Sequence, residues 1–211
     1  MVAAFLLPNL VILLMHRLAR RANPEPSRRI PVKNFAEVDD RLWRGAAPTA
    51  EALVALAANG VATVVDLRAE RGTQTYDALR RRLGVTRVHL PLRDGQAPNR
   101  EQVERFLRVV RQSHGRVFVH CGAGVGRTGT MSAAYLVASG RATGAEAVER
   151  NLAVGPPSVE QLVFTFLLAA GNVRRPPAPV VVFSRAVDGP RRFWVRVRGS
   201  YDYTSGCGIR A

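Results

Sequence analysis

Continuous apolar runs of strand length recur along the chain and alternate with amphipathic segments. Residues 61–67 (VATVVDL) and 117–119 (VFV) are almost wholly apolar, which is typical of strands buried on both faces. Two further strands are predicted at residues 85–90 and, as a short edge strand, at residues 42–44. Because predicted strands and helices alternate, the pattern indicates an α/β fold with a central, mostly parallel sheet flanked by helices.

Polar capping residues precede the amphipathic segments. Thr49, Asn99, Thr143 and Ser158 can each accept a hydrogen bond from the first turn of a helix, and a Glu or Gln follows the last three at capping-box spacing. The helix after Asn99 has apolar residues at 103, 106, 107 and 110, which form one face at helical spacing. A further helix, roughly residues 127–139, follows a glycine-rich loop and is expected to end at Gly140.

Changes in composition divide the chain into three parts. Residues 1–33 combine an apolar segment with a basic linker, residues 34–171 carry the predicted catalytic domain, and residues 172–211 form an Arg- and Pro-rich tail. In the tail, apolar runs at 180–183 and 193–197 flank an Asp-Gly-Pro turn, which predicts a hairpin. A disordered tail is the alternative.

The N-terminal segment, residues 2–15, is apolar but shorter than the roughly 20 residues that span a bilayer. Pro8 and Asn9 interrupt it, and several arginines follow. One interpretation is an anchor or interfacial helix, which the positive-inside rule would place on the cytoplasmic face of a membrane. The alternative is a disordered leader or an incorrectly assigned start. In both cases we expect a cytoplasmic protein.

A strand–loop–helix motif, VFVHCGAGVGRTGT, contains the strongest chemical signal. Cys121 and Arg127 bracket five residues, a loop size that can surround one phosphate-sized anion. The N-terminus of the following helix favours negative charge there, which promotes phosphate binding and the thiolate form of Cys121. Arg127 can clamp the phosphate with two hydrogen bonds. Three glycines let the loop amides turn inward: Gly122, Gly124 and Gly126.

With its flanking residues, the motif reads HC-x-x-G-x-x-RTG and resembles the cysteine-dependent protein tyrosine phosphatase superfamily, most closely the compact atypical dual-specificity phosphatases. The resemblance covers about residues 34–170. It implies that Cys121 attacks phosphorus, that a phosphocysteine forms, and that water then releases phosphate without a metal or cofactor. It also implies that Thr128 assists the departing thiolate. The phosphate-binding residues would be Gly122, Ala123, Gly124, Val125, Gly126 and Arg127.

Asp94 follows the strand predicted at residues 85–90. It lies in the segment DGQAP, just before a capped helix. This place matches the general-acid loop of the family, so Asp94 is the expected proton donor, on a loop expected to be a mobile hinge. Glu70 could brace Arg127 and Arg68 could receive substrate, although an ordinary solvated loop explains both. Gln161 matches either a residue that positions water or a simple capping residue, and His120 is expected to hold the loop through hydrogen bonds.

The formal net charge is +15 and comes almost entirely from arginine. We interpret it as compositional bias combined with attraction to anionic partners, because most of the excess lies outside the motif. A nucleic-acid-binding role through residues 191–203 (RRFWVRVRGSYDY) is disfavoured. The two cysteines, Cys121 and Cys207, do not make a disulfide framework, and the four histidines lack the spacing of metal ligands.

The expected function is hydrolysis of phosphotyrosine, and also of phosphoserine and phosphothreonine, in proteins. The loop carries no lysine, whereas relatives selective for phosphoinositides often do. A phosphatase for a non-protein phosphomonoester, such as an inositol phosphate, lipid or nucleotide, is one alternative. A phosphoprotein-binding pseudophosphatase is the other, but Cys121, Arg127 and Asp94 are all retained.

Overall fold

A five-stranded sheet forms the centre of the computed structural model, which describes residues 2–23, 30–69 and 76–188. The strands are β1 (Ala36–Glu37), β2 (Leu42–Gly45), β3 (Val61–Arg68), β4 (Thr86–Leu92) and β5 (Arg116–His120), in the spatial order β1-β2-β5-β3-β4. Only β1 is antiparallel to its neighbour; the other pairs are parallel. The predicted α/β fold with a mostly parallel sheet is confirmed.

Helices cover both faces of this sheet. They are α1 (Val2–Ala22), α2 (Ala50–Ala58), α3 (Asp77–Arg82), α4 (Arg100–Gln112), α5 (Gly126–Ala138), α6 (Gly144–Val154) and α7 (Val159–Ala169), followed by a C-terminal helical segment at residues 178–188. The four predicted caps are confirmed: Thr49 caps α2, and complete capping boxes begin α4, α6 and α7.

Two apolar clusters, one on each face of the sheet, form the core. Val65 of β3 pairs with Val119 of β5 and packs towards α4, α5 and α7, while Val64 and Phe118 pack towards α2. This alternation follows from the two-residue period of a strand and explains why both strands are continuously apolar. Residues 127–136 of α5 are buried, so the start of this helix is held firmly at one edge of the sheet.

That edge is where the carboxyl ends of the parallel strands meet. His120, the last residue of β5, pairs with Gly45 of β2 on one side and with Asp66 of β3 on the other. The carboxyl ends of β2, β3 and β5 therefore lie side by side. In parallel sheets, this edge is the usual place for ligand binding.

The N-terminal apolar segment belongs to α1, a helix packed against α6 and α7. Ile12 and Ala19 are buried against Val148 and Leu152, and His16 Nδ1 lies 2.6 Å from Leu152 O. Within the described residues, no helix has both the length and the apolar character needed to cross a membrane. The disordered-leader alternative is wrong for the described part of this segment, because it forms a packed helix.

The packed core also extends beyond the predicted domain limits. Ile30 and Val32 are buried in the α2 cluster, before the expected boundary at residue 34. The strand predicted at 180–183 is wrong, because residues 178–188 are helical and Ser184 Oγ accepts a hydrogen bond from Glu160 N. A short apolar run cannot distinguish a strand from one face of a helix. The second predicted strand, residues 193–197, lies outside the described residues, as does Cys207.

Candidate active site

Cys121 lies directly after β5, at the floor of the loop that leads into α5. Its side chain is buried, and Gly124 N–H donates a hydrogen bond to Sγ over 3.3 Å. The strand fixes the start of the loop, and α5 fixes its end. The thiol is therefore held beside the N-terminus of a buried helix, a position that favours a negative charge.

The carbonyl groups of loop residues 122–125 all accept hydrogen bonds from outside the loop. The donors are Ala47 N (3.2 Å to Gly122 O), Asn34 Nδ2 (2.8 Å to Ala123 O) and Arg44 Nη2 (2.9 Å to Gly124 O and 3.2 Å to Val125 O). In a trans peptide, the N–H points away from the carbonyl of the same unit. The amides of residues 123–126 therefore face the concave side of the loop, as the glycine pattern predicts.

Gly124 is the loop residue at which no other amino acid fits. Its φ is +75°, in the left-handed region that favours glycine. A Cβ there would lie 2.3 Å from Gly45 C and 2.4 Å from Ala46 N. The loop thus packs its backbone directly on the end of β2, which brings Arg44 within reach of the loop carbonyls.

Arg127 lies in the first turn of α5, and its guanidinium is buried at the rim of the loop. Nη1 donates to Leu92 O over 3.1 Å, and Nη2 lies 3.3 Å from Asp94 Oδ1. The predicted brace, Glu70, lies outside the described residues. In the described part of the chain, the end of β4 and Asp94 support the guanidinium.

Asp94 is brought to the same rim by a loop that is attached to α7. Its side chain is 41% exposed. Three hydrogen bonds fix the loop: Ser158 Oγ to Gly95 O (2.7 Å), Gln161 Nε2 to Gln96 O (3.2 Å) and Ala97 N to Glu160 Oε1 (2.9 Å). These contacts connect the segment to the buried first turn of α7.

Gln161 contacts both loops of the site. It completes the capping box of α7 with Ser158, as the capping interpretation predicts. Its Oε1 also lies so close to Gly126 that a Cβ on this glycine would be 2.3 Å away. The side chain therefore lies between the loop of residues 122–125 and the Asp94 loop, and it links their positions.

Asp66, a second carboxylate near the site, is fully engaged in ion pairs. Arg68 Nε and Nη2 each donate over 3.0 Å, and Arg87 Nη2 donates over 2.9 Å. Burial alone would raise the pKa of Asp66, but its hydrogen bonds with Arg68 and the nearby charges hold the pKa well below its usual value. Asp66 is therefore ionised and has no proton to donate. Arg68, expected to receive substrate, is instead paired with this carboxylate.

His120 supports the loop from below as a neutral side chain. Burial lowers the pKa of His120 to about 4, although the Asp66 charge opposes this shift. Its Nδ1 lies 3.2 Å from Cys121 O.

Thr128 is also buried, and its hydroxyl has no hydrogen-bond partner among the described residues. An unpaired buried hydroxyl at the start of α5 is available to a group bound in the loop.

Arg44 is a site residue that the sequence interpretation missed. It is 3% exposed, and its guanidinium lies behind the loop of residues 122–125. Burial lowers the pKa of Arg44 to about 10, while the negative charge of a Cys121 thiolate opposes the shift, so the side chain stays charged at neutral pH. The sequence did contain a signal for Arg44, because it is a charged residue within the strand LWRG. A buried arginine requires a partner, and this requirement could have indicated a role near the site.

The described residues contain no group of three or more His, Cys, Asp or Glu side chains placed to hold a metal ion. The candidate groups described above are a thiol, a guanidinium, inward-facing amides and one half-exposed carboxyl. This set can bind a tetrahedral anion and supply both a nucleophile and a proton.

Comparisons with known proteins agree with this chemistry. The family model described as "DSP-PTPase phosphatase fused to NAD+ Kinase" matches residues 26–165. The chain is 41% identical to NAD kinase 2, chloroplastic, of Arabidopsis thaliana over 103 residues, which are 45% of this chain and 10% of that protein. It is 34% identical to human dual specificity protein phosphatase CDC14C over 105 residues, 46% of this chain and 23% of the relative.

Among solved structures, the catalytic domain of the PP-IP phosphatase SIW14 from S. cerevisiae has the same fold. The TM-score is 0.56 at 16% identity, over 65% of this chain and 86% of that one. By contrast, the chain matches only about a tenth of the length of the Arabidopsis NAD kinase 2 and about a quarter of the length of human CDC14C. Since the family model covers well over half of the chain, the protein belongs to this family of dual-specificity-type phosphatases, DSP-PTPase phosphatase fused to NAD+ kinase.

Proposed function

We propose that the protein hydrolyses phosphotyrosine in proteins, and also phosphoserine and phosphothreonine, through a phosphocysteine intermediate. One arrangement supports this most. The Cys121 thiol lies at the floor of a loop whose amides face inward, with Arg127 and Asp94 3.3 Å apart on its rim. A phosphoryl group bound to the amides and the guanidinium places phosphorus above the thiolate, in line for attack.

Two displacements complete the reaction. In the first, the Cys121 thiolate forms a bond to phosphorus, the ester P–O bond breaks, and Asp94 gives its proton to the leaving oxygen. In the second, Asp94 takes a proton from water as the water oxygen bonds to phosphorus and the P–S bond breaks. The free Thr128 hydroxyl donates a hydrogen bond to the departing thiolate.

Binding of the phosphate itself prepares Asp94 for the first step. Without a ligand, Arg127 Nη2 lies 3.3 Å from Asp94 Oδ1. A bound phosphate dianion competes for this guanidinium through charge-assisted hydrogen bonds. The Asp94 carboxyl is then released from Arg127 and can face the leaving oxygen.

The uncharged loop favours a protein substrate. The side chains at 122, 123 and 125 are Gly, Ala and Val, so the loop offers no cation for the additional phosphates of a polyanionic head group. The relatives named as CDC14 are protein phosphatases by name, which agrees with this choice. The named substrate class of SIW14, PP-IP, makes an inositol phosphate the main alternative.

Phosphate release from a substrate panel tests the proposal. The panel contains phosphotyrosine and phosphoserine peptides, an inositol phosphate, a phosphoinositide and a nucleotide monophosphate, each with EDTA present. We expect the highest kcat/KM for the phosphotyrosine peptide, and no turnover of any substrate by Cys121→Ser. A higher kcat/KM for the inositol phosphate would overturn the substrate class. Equal rates for Cys121→Ser would overturn the mechanism.

We also propose that α1 lies on the cytoplasmic face of an anionic membrane. Leu7, Leu10, Leu14 and Leu18 are 62%, 62%, 57% and 55% exposed and share one helical face. Exposed arginines flank this stripe at positions 17 and 21. An apolar helical stripe flanked by cations is typical of a helix that lies in a membrane interface.

Sedimentation with vesicles tests this association. Wild-type protein should sediment with vesicles that contain phosphatidylserine, and the double variant Leu10→Gln/Leu14→Gln should stay in solution with unchanged phosphatase activity. Val182→Gln, a similarly exposed apolar position outside α1, is the matched control. Absence of wild-type sedimentation at low salt would rule out this role for α1.

A further inference from the structure

The C-terminal helical segment, residues 178–188, is attached to the first turn of α7 through two buried polar residues. Ser184 and Asp188 are 0% and 2% exposed. The segment lies beyond residues 26–165, the part of the chain that the family model matches. Because burying polar groups is costly unless they are paired, these two residues need a structural reason, and the match to the family does not supply one.

The Ser184 hydroxyl is paired in both directions. Ser184 Oγ donates a hydrogen bond to Asp188 Oδ2 over 2.8 Å and accepts one from Glu160 N–H over 3.0 Å. A carboxylate can only accept and a backbone N–H can only donate, so the direction of both bonds is fixed. Asp188 therefore orients the hydroxyl so that its oxygen faces Glu160.

Glu160 N–H is one of the amides at the start of α7 that the helix itself leaves unpaired. The first four N–H groups of a helix have no partner within it. Ser158 Oγ accepts from Gln161 N–H over 3.2 Å, and Ser184 Oγ accepts from the adjacent Glu160 N–H. The negative charge of Asp188, one hydrogen bond further away, suits the positive end of the helix. The C-terminal helical segment thus completes the cap of α7.

The Glu160 side chain carries this attachment to the Asp94 loop. Its Oε1 accepts a hydrogen bond from Ala97 N–H over 2.9 Å, and both residues are buried. Ala97 lies three residues after Asp94. Hydrogen bonds that are shielded from water are electrostatically stronger than exposed ones. The same residue is therefore held by Ser184 through its backbone and holds the Asp94 loop through its side chain.

We propose that Ser184 and Asp188 are positioning residues for the proton donor, Asp94. They act through the C-terminal link, which consists of the hydrogen bonds Asp188–Ser184, Ser184–Glu160 and Glu160–Ala97. The inference rests on the proposed function. The Asp94 side chain is 41% exposed, so the backbone of its loop sets its distance from the leaving oxygen. A misplacement of about 1 Å can cost about 10²-fold in rate.

Two aryl esters with different leaving groups test this role. p-Nitrophenolate leaves readily without a proton, whereas the phenolate of phenyl phosphate depends more on the acid. Ser184→Ala removes the centre of the C-terminal link. We expect its kcat/KM for phenyl phosphate to fall about tenfold or more, a part of the 10²–10⁴-fold that general acid catalysis supplies. The loss for p-nitrophenyl phosphate should be clearly smaller.

Thr165→Val is the matched control. It also removes a buried hydroxyl, but this hydroxyl bonds within α7 to Gln161 O and does not belong to the C-terminal link. The variant should leave the ratio of the two kcat/KM values unchanged. An equal fractional loss for both esters in Ser184→Ala would indicate general structural damage and would overturn the proposal, as would unchanged values for both.

A double variant shows whether Ser184 acts through Asp94. In the Asp94→Asn background no proton donor remains to be positioned, so adding Ser184→Ala should cause no further loss with phenyl phosphate. Residues that act through one another give such non-additive effects. A further loss as large as the one in the wild-type background would overturn the role of Ser184 in positioning Asp94.

Amide hydrogen exchange tests the C-terminal link without turnover. Glu160→Ala removes the acceptor of Ala97 N–H, so exchange at this amide should become about tenfold faster or more, and Ser184→Ala should also accelerate it. Glu160→Ala should show the same difference between the two esters, which keeps the proposal testable if Ser184→Ala does not fold. Unchanged exchange at Ala97 in folded Ser184→Ala would overturn the C-terminal link. Faster exchange in variants of a protein that hydrolyses no phosphomonoester would overturn the proposed function and leave the link between Ser184 and Ala97 standing.

Discussion

Replacing Asp94 with Asn separates the proposed proton donor from the rest of the site. The amide oxygen of Asn keeps an acceptor near Arg127 Nη2, which lies 3.3 Å from Asp94 Oδ1. Because the Asp94 side chain is 41% exposed, losing the ion pair should cost no more than about 1 kcal/mol of stability. The Gly95, Gln96 and Ala97 hydrogen bonds to α7 use only backbone atoms of this loop, so its position should be retained.

The expected loss of rate depends on the leaving group. General acid catalysis is worth about 10²–10⁴-fold, or about 3–5 kcal/mol in the barrier. Asp94→Asn should therefore slow kcat for phosphotyrosine and phosphoserine peptides by about this factor. The loss should be smaller for p-nitrophenyl phosphate, because p-nitrophenolate leaves readily without a proton.

Two other aspartates provide the controls for this measurement. Asp66→Asn breaks a buried pair with Arg68 and Arg87, so it should cost about 3–5 kcal/mol of stability and lower Tm. Asp77→Asn removes the ion pair with Arg80 in α3 and should not change the rate. A wild-type peptide rate for Asp94→Asn, together with a large loss of rate in folded Asp66→Asn, would show that Asp94 is not the proton donor.

Three further outcomes follow from the loop and its surroundings. Cys121→Ser should bind a phosphotyrosine peptide in calorimetry with nearly wild-type affinity but release no phosphate, because the amides and Arg127 remain; failure to bind would contradict the loop geometry. His120 should lower the free energy of unfolding in urea by about 2 kcal/mol near pH 5 relative to pH 8. In the unfolded chain His120 binds a proton below its ordinary pKa, whereas in the folded protein it does so only below a pKa of about 4. His120→Asn should remove this part of the pH dependence, and an unchanged dependence would show that another group causes it. Gly124→Ala should destabilise the fold by at least about 1–2 kcal/mol because of the positive φ at this position, and it should also reduce kcat/KM. Gly122→Ala is the control and should leave Tm unchanged, because a Cβ there would lie 3.8 Å from its nearest neighbour. Equal Tm values for the two variants would contradict the packing of the loop on β2.

The sequence by itself determined the features that depend on near neighbours in the chain. The caps at Thr49, Asn99, Thr143 and Ser158 form as predicted, because each acts on the backbone within its own first turn. The buried strands were predicted from continuous apolar runs, which few other structures accommodate. The loop between Cys121 and Arg127 was also readable, since its size, its glycines and the following helix are all local.

Only the tertiary structure decided which distant groups hold this loop and the acid. Arg44 and Asn34 bond to carbonyls about 80 to 90 residues further along the chain, and the Asp94 loop is fixed by α7, more than 60 residues away. The course of α1 along α6 and the helical state of residues 178–188 were equally unpredictable. Such contacts depend on which surfaces the fold brings together, and a local pattern of apolar and polar residues is compatible with many partners. The sequence therefore specified the chemical groups, and the packing of sheet and helices specified their neighbours.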